Sequence, residues 1–256
     1  MGIVMDEYEW AERMLRSHDL GDHPAETLSR VAKYYYANNY PKREVRRLLD
    51  IFLVQCDPAV SLPGWSGLLD SIAKSASKYP SVRLDHLIVT EEELAIIQGL
   101  QGKQLQRLAF TLLCVAKYWD ASRPENNHWV NVSDKEIMKM ANISTSIKRQ
   151  SQMFGDLRNA GLIRFSKRID NLNVQVLFLT DGEPGVLVHD MRNLGYQYMN
   201  LSGGPFYECE NCGVTEKHKG AVGGRPPKYC HDCASEIHLK QVVASVMRTR
   251  HPTKQT

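Results

Sequence analysis

Cys209, Cys212, Cys230 and Cys233 form two Cys-x-x-Cys pairs with 17 residues between them. Two residues between thiolates let a tight turn aim both sulfurs at one ion. Two such pairs at this separation describe a tetrahedral site for a single structural Zn2+, about 2.3 Å from each sulfur. Four thiolates leave no open coordination position, so such an ion holds a fold and performs no chemistry. Asn211 and Gly213 flank Cys212, and both tolerate the left-handed backbone a knuckle uses. Disulfide pairing is the competing reading, and it fits poorly with a chain that otherwise looks intracellular. His231 lies between Cys230 and Cys233 and could replace a thiolate; a solvent-facing side chain is the plainer expectation, as for His218 and His238. Cys56 and Cys114 sit in the apolar runs LLDIFLVQC and LAFTLLCVAKYW and read as buried packing thiols.

The remaining candidates are cations. Lys148, Arg149 and Gln152 share one stretch of predicted helix and are residue types that meet base edges or phosphates. Arg164, Lys167 and Arg168 follow on a predicted hairpin. Arg225 and Lys228 belong to GRPPK, residues 224–228, which resembles part of an AT-hook, where an extended Gly-Arg-Pro enters a narrow minor groove. Gly223 stands where that motif has another Arg, and the competing reading is structural, with Pro226 and Pro227 stiffening the approach to the second cysteine pair. Arg248 and Arg250, with Lys240 and Lys254, could grip phosphate without sequence preference. Residues 1–120 carry 14 Lys/Arg against 16 Asp/Glu, whereas residues 191–256 carry 9 against 5, so the net +3 is concentrated toward the C-terminal end. A local basic excess is an electrostatic footprint for nucleic acid, or simply a solvated tail.

Catalytic patterns do not emerge. There is no phosphate-cradling loop with a following Lys-Ser/Thr, no His-Glu-x-x-His and no Gly-x-Ser-x-Gly, and a zinc-bound thiolate is unavailable as a nucleophile. A binding protein rather than an enzyme is the expectation. The 256 residues, 43% hydrophobic and 24% charged, suit an ordinary globular chain with more than one domain. No apolar run reaches the roughly 20 residues of a membrane span. MGIVMDEYEWAERML lacks the features of a signal peptide, and Asp6 stands where a myristoylation signal has Ser/Thr. A cytoplasmic location without membrane contact is expected.

The elements that position these residues can be read from period and punctuation. Residues 1–85 predict a helical domain: a helix at about 5–16, one after Asp22-His23-Pro24, one from Pro41, and one over Trp65–Tyr79. Val45, Leu48, Leu49 and Phe52 share a face of the third, with Arg43, Arg46 and Arg47 beside or opposite; a solvated face explains those arginines better than a phosphate contact. Residues 86–182 predict a capped short helix (Thr90 with Glu93), a long apolar helix to about Asp120, the strand HWVNV, a helix capped by Ser133, and a helix capped by Ser144 or Thr145 that ends at Gly161. Strands LIRFSKR and VQVLFL follow, turning at Asp170, Asn171 and Asn173. Ile147, Phe154, Leu157 and Leu162 would pack inward with Ile137, Met140 and Ile143, leaving Thr145, Lys148, Arg149, Gln152 and Asp156 outward. Residues 183–205 read as a connector in which VLVHDM is a strand or a helix start and NLSGGP a flexible linker, and 206–256 as a four-cysteine zinc ribbon with a basic helix and tail. The fold class is mainly α with small β.

The order of elements over about 100–180, and VSDKEIMKMANISTSIKRQSQMFGDLRNAGLIRF within it, resembles a winged helix-turn-helix domain of bacterial and phage regulators. That resemblance implies a third helix in the major groove and a hairpin wing along the backbone. With the ribbon, the layout is similar to uncharacterised DNA-binding proteins of bacteriophages and mobile elements, especially replication-associated ones. It implies a double-stranded DNA partner in replication or transcription. Docking on a host protein as an adaptor or inhibitor is the rival, which the acidic N-terminal half favours, and RNA binding through the ribbon is a third possibility.

Overall fold

The fold is that of a computed structural model, which describes residues 2–167, 173–218 and 227–250; for Pro124, Ala244 and residues 246–250 the description stops at the backbone. The chain divides into two compact units, Met1–His86 and Leu87–Thr256, each with its own core.

The first unit is four helices: α1 (Glu7–Ser17), α2 (Pro24–Ala37), α3 (Lys42–Cys56) and α4 (Leu62–Ala76). Asp6 starts α1 by accepting the backbone N–H groups of Tyr8 and Glu9, each at 2.8 Å. Pro24 opens α2, where its fixed φ suits the first turn. The fourth helix begins three residues earlier than its sequence suggested, because Pro63 also fits a first turn and Ser61 takes the cap position. Val45, Leu49 and Phe52 bury the stripe that a 3.6-residue period predicts, against Leu28, Val31 and Leu69. Complete burial of one such side chain contributes about 1.5–3 kcal/mol. Glu7 is buried too, and is matched: Lys33 Nζ lies 2.8 Å from it, Arg30 Nε 3.5 Å, and Val82 N–H donates to it at 3.0 Å. On α3, Arg46 lies between Asp50 (2.5 Å) and Asp70 (2.6 Å), and Arg47 pairs with Glu44. These arginines are balanced locally, as a solvated face requires.

The second unit runs β1 (Leu87–Thr90), α5 (Glu91–Gln98), α6 (Lys103–Ser122), β2 (Trp129–Val130), α7 (Asp134–Met140), α8 (Ile147–Asn159), β3 (Ile163–Phe165), β4 (Val174–Val176), β5 (Pro184–Val188), α9 (Leu194–Leu201), β6 (Phe206–Glu208), β7 (Thr215–Lys217) and α10 (His231–Arg250). Among the described residues three small antiparallel sheets form, in the orders β1-β5, β2-β4-β3 and β6-β7. The α6 helix is apolar nearly all round, and so it is central: Leu108, Phe110, Leu112, Leu113 and Val115 are fully buried. Glu93 completes the Thr90 capping box and accepts further bonds from Thr180 N–H (2.9 Å) and Lys117 Nζ (2.8 Å), which satisfies a fully buried carboxylate. No helix among the described residues is long and apolar enough to cross a membrane.

Three expectations change. Residues 183–205 are not a loose connector. Within them β5 pairs with β1, and α9 packs on α6 through the buried Leu194 and Tyr198. Only the short links 189–193 and 202–205 lie between elements. Ser146, rather than Ser144 or Thr145, caps α8 by accepting the Arg149 N–H. Ile147 lies on the same stripe as Phe154 but two turns nearer the N-terminus, beyond the reach of the core. It is 80% exposed, and Met153 fills the interior instead.

Candidate metal centre and cationic helix face

The sulfurs of Cys209, Cys212, Cys230 and Cys233 all lie within 4.8 Å of one another. Those of Cys212 and Cys230 are 3.8 Å apart. That is the spacing that bonds of about 2.3 Å in a tetrahedron produce, and far from the ~2.05 Å of a disulfide. The first pair sits at the turn of the β6–β7 hairpin. Cys209 N–H donates to Val214 O, and Gly213 N–H donates to Cys209 O, each at 2.9 Å. Gly213 supplies the left-handed residue, φ +71°, and stands so near His189 that a Cβ there would lie 3.1 Å from the His189 Cβ. Asn211 keeps φ negative and contributes differently: its side-chain amide donates to Cys233 Sγ at 3.3 Å, tying one pair to the other. The second pair comes from the start of α10, where Cys233 N–H donates to Cys230 Sγ at 3.5 Å and the helix dipole favours negative charge.

Burial pushes the Cys230 thiol up to about 12 and raises Cys212 as well. At Cys209 burial acts in the same direction, but backbone donors around Cys230, Asn211 and Cys212 outweigh it and bring the thiol to about 7. A cation at the centre of the four sulfurs, all within 4.8 Å of one another, makes four thiolates favourable at once. The four residues can therefore hold one soft metal ion. His231 is outside this group: its side chain is 88% exposed, with Nδ1 3.5 Å from Asp232.

A fifth residue touches the cluster. Arg192 Nη2 donates to Cys212 Sγ at 3.2 Å. The same guanidinium is held by Asp190, with Nη2 2.7 Å from one oxygen and Nε 3.0 Å from the other. Sequence spacing gives no hint of this, since twenty residues separate Arg192 from Cys212; only the Asp-x-Arg of residues 190–192 marks a local fork.

The α8 helix carries the second candidate surface. Lys148, Arg149, Ser151 and Gln152 are exposed, and its first turn holds no carboxylate. Among the described residues no ion pair engages Lys148 or Arg149, in contrast to Arg46 and Arg47 of α3. Phe154 and Leu157 are buried as expected, with Ile137 and Ile143 beneath them; Met140 and Leu162 are half-buried. Arg164 is exposed on β3 and donates to Gln175 Oε1, directly across the ladder. Lys167 is exposed after that strand. Lys228 lies 3.4 Å from Glu210, so its charge is already matched. Arg168 and Arg225 lie outside the described residues, and so do the side chains of Arg248 and Arg250, whose backbone is part of α10.

The turn that aims α8 is held from behind. Asn142 adopts the left-handed conformation, φ +53°. Its carbonyl accepts from Arg107 Nη1, its Oδ1 from Tyr196 N–H, and its Nδ2 donates to Asn193 Oδ1, each at 3.0 Å. The α9 helix thus grips the α7–α8 turn. Its other side meets the metal module, where Tyr196 stacks on Phe206 with ring centroids 4.9 Å apart. The chain matches no family model, no curated protein and no solved structure.

Proposed function

We propose that this protein binds double-stranded DNA through the N-terminal half of α8, with a structural Zn2+ holding the module that follows. The observation that carries the reading is a pair of cations, Lys148 and Arg149, that no carboxylate among the described residues offsets. They stand beside Gln152 on an exposed helix whose opposite stripe is core. Lysine and arginine meet guanine O6/N7 or phosphate, and glutamine matches the adenine N6/N7 edge. The order α6-β2-α7-α8-β3-β4 and the β2-β4-β3 sheet support the winged helix-turn-helix resemblance, with the β3–β4 hairpin as wing. The donor set supports zinc, because a compact four-thiolate cluster suits that soft tetrahedral ion. A closed cage offers no coordination position to a substrate, which favours a binding role over a catalytic one. The resemblance to phage and mobile-element proteins directs the first assays to replication origins and promoters.

A selection from random duplexes, followed by affinity measurement on the enriched sequence, tests this. Gln152→Ala should relax preference at one base pair and cost about 1–3 kcal/mol on the preferred site. No enrichment of any duplex would refute it.

A protein partner is the second reading, and one observation favours it. Leu239, Val242 and Val243 share a stripe on α10 and are 63%, 43% and 50% exposed. A stoichiometric partner released by Val243→Glu, with duplex binding unaffected, would assign α10 to that role.

A further inference from the structure

We infer that the metal centre controls the setting of α8 through Arg192, so that metal loading and DNA binding are thermodynamically linked. The inference rests on the DNA-binding reading for its ligand, and on bonded contacts alone for its path. Arg192 donates to Cys212 Sγ at 3.2 Å, a contact that strengthens when that sulfur becomes a metal-bound thiolate. Asp190 fixes the guanidinium by a two-pronged pair and also accepts the Arg192 N–H at 2.6 Å, so the backbone of this segment moves with the side chain. The next residue, Asn193, opens α9 in the left-handed conformation, φ +54°. Its side chain holds Asn142 at 3.0 Å, and the Tyr196 N–H is shared between Asn142 Oδ1 at 3.0 Å and Asn193 O at 2.9 Å, so both of its acceptors belong to this relay. Asn142 is the left-handed residue of the α7–α8 turn. The spacing leaves no slack, because a Cβ on Gly195 would lie 1.9 Å from Ala141 O.

The path from sulfur to turn is therefore Cys212, Arg192, Asn193, Asn142, without a gap. When the metal leaves, the Asn211–Cys233 contact and the Glu210–Lys228 bonds still join the two cysteine pairs, but the strongest restraint on Cys212 Sγ beside Arg192 is gone, and the anchor of residues 190–193 on the hairpin weakens. The α7–α8 turn then loses its support from α9. Linkage requires the reverse effect as well: bound duplex must tighten the metal by the same factor.

The test uses the full chain loaded with zinc, compared with the same protein after EDTA. Hydrogen exchange reports the Tyr196 amide, and fluorescence anisotropy reports a selected duplex. Metal removal should raise Tyr196 exchange at least about tenfold while α6 amides stay protected, and should weaken duplex binding by about 5–150-fold. Arg192→Gln, checked to hold one zinc per chain, should lower zinc affinity about 10–100-fold and show part of both effects; Arg192→Lys should restore part of the zinc affinity. Unchanged Tyr196 exchange on metal removal, wild-type behaviour of Arg192→Gln, or loss of protection throughout α6 would each overturn the relay. Failure to bind duplex in every state would refute the DNA-binding reading alone, since the exchange arm still decides the relay.

Discussion

The six cysteines fall into two environments. Cys114 is wholly buried in α6, and burial raises its thiol; Cys56 is pushed up to about 11 by burial and by Asp19. A raised pKa means less thiolate at pH 8, hence slow reaction with a thiol reagent. With metal bound, the other four are shielded as ligands. A thiol titration of the native protein at pH 8 should find few fast groups, and EDTA should add four, one per clustered cysteine, because the module opens without its ion and the burial that raises Cys212 and Cys230 is lost. Six fast groups before EDTA, or none after it, would contradict the assignment. Glu93 supplies a second residue-scale prediction. Its removal by Glu93→Ala strands Lys117 and the backbone N–H groups of Thr90 and Thr180, and should cost about 3–5 kcal/mol in urea unfolding. The spacing of the cysteines and the Thr90–Glu93 cap were legible in the sequence, because each is a local pattern. The Lys117 and Arg192 contacts were not, because a bond between residues twenty or more apart depends on how the chain returns.

At the scale of elements, amphipathic period and capping residues located the helices of the first unit and α5 to α8. Two losses have physical causes. The α9 helix sits in a stretch rich in Gly and Asn, and its signal was only Leu194, Tyr198 and Leu201 at helical spacing. The stripe on α8 was right, but the position at which the core stops covering it depends on neighbouring elements, so period alone places Ile147 inside. The close approach of α9 to the α7–α8 turn gives a paired prediction. Gly195→Ala forces a Cβ into the Ala141 carbonyl and should destabilise the second unit by about 1–3 kcal/mol. Gly155→Ala, inside α8 with nothing within 4 Å of the added carbon, should stabilise it by about 0.5–1 kcal/mol. Urea midpoints separate the two, and a neutral Gly195→Ala would mean that α9 does not clamp the turn.

At the scale of the molecule, each unit has its own buried core, so metal should matter to one and not the other. Heating in EDTA should lower the unfolding transition of Leu87–Thr256 and leave that of Met1–His86 where it was, as differential scanning calorimetry with and without zinc would show. Equal shifts in both would deny the independence of the cores. The basic excess was visible in the sequence, but its division was not: Arg46 and Arg47 of α3 and Lys228 are matched by carboxylates, whereas Lys148 and Arg149 have no such match among the described residues. Those two cations are what a polyanion would meet. The salt dependence of duplex binding reads them directly, because each neutralised phosphate contributes about −0.9 to the slope of log affinity against log salt. The wild type should give a clearly negative slope, and Lys148→Ala with Arg149→Ala should make it shallower by up to about 2. A slope near zero, or one that the double substitution leaves unchanged, would mean that α8 does not face DNA.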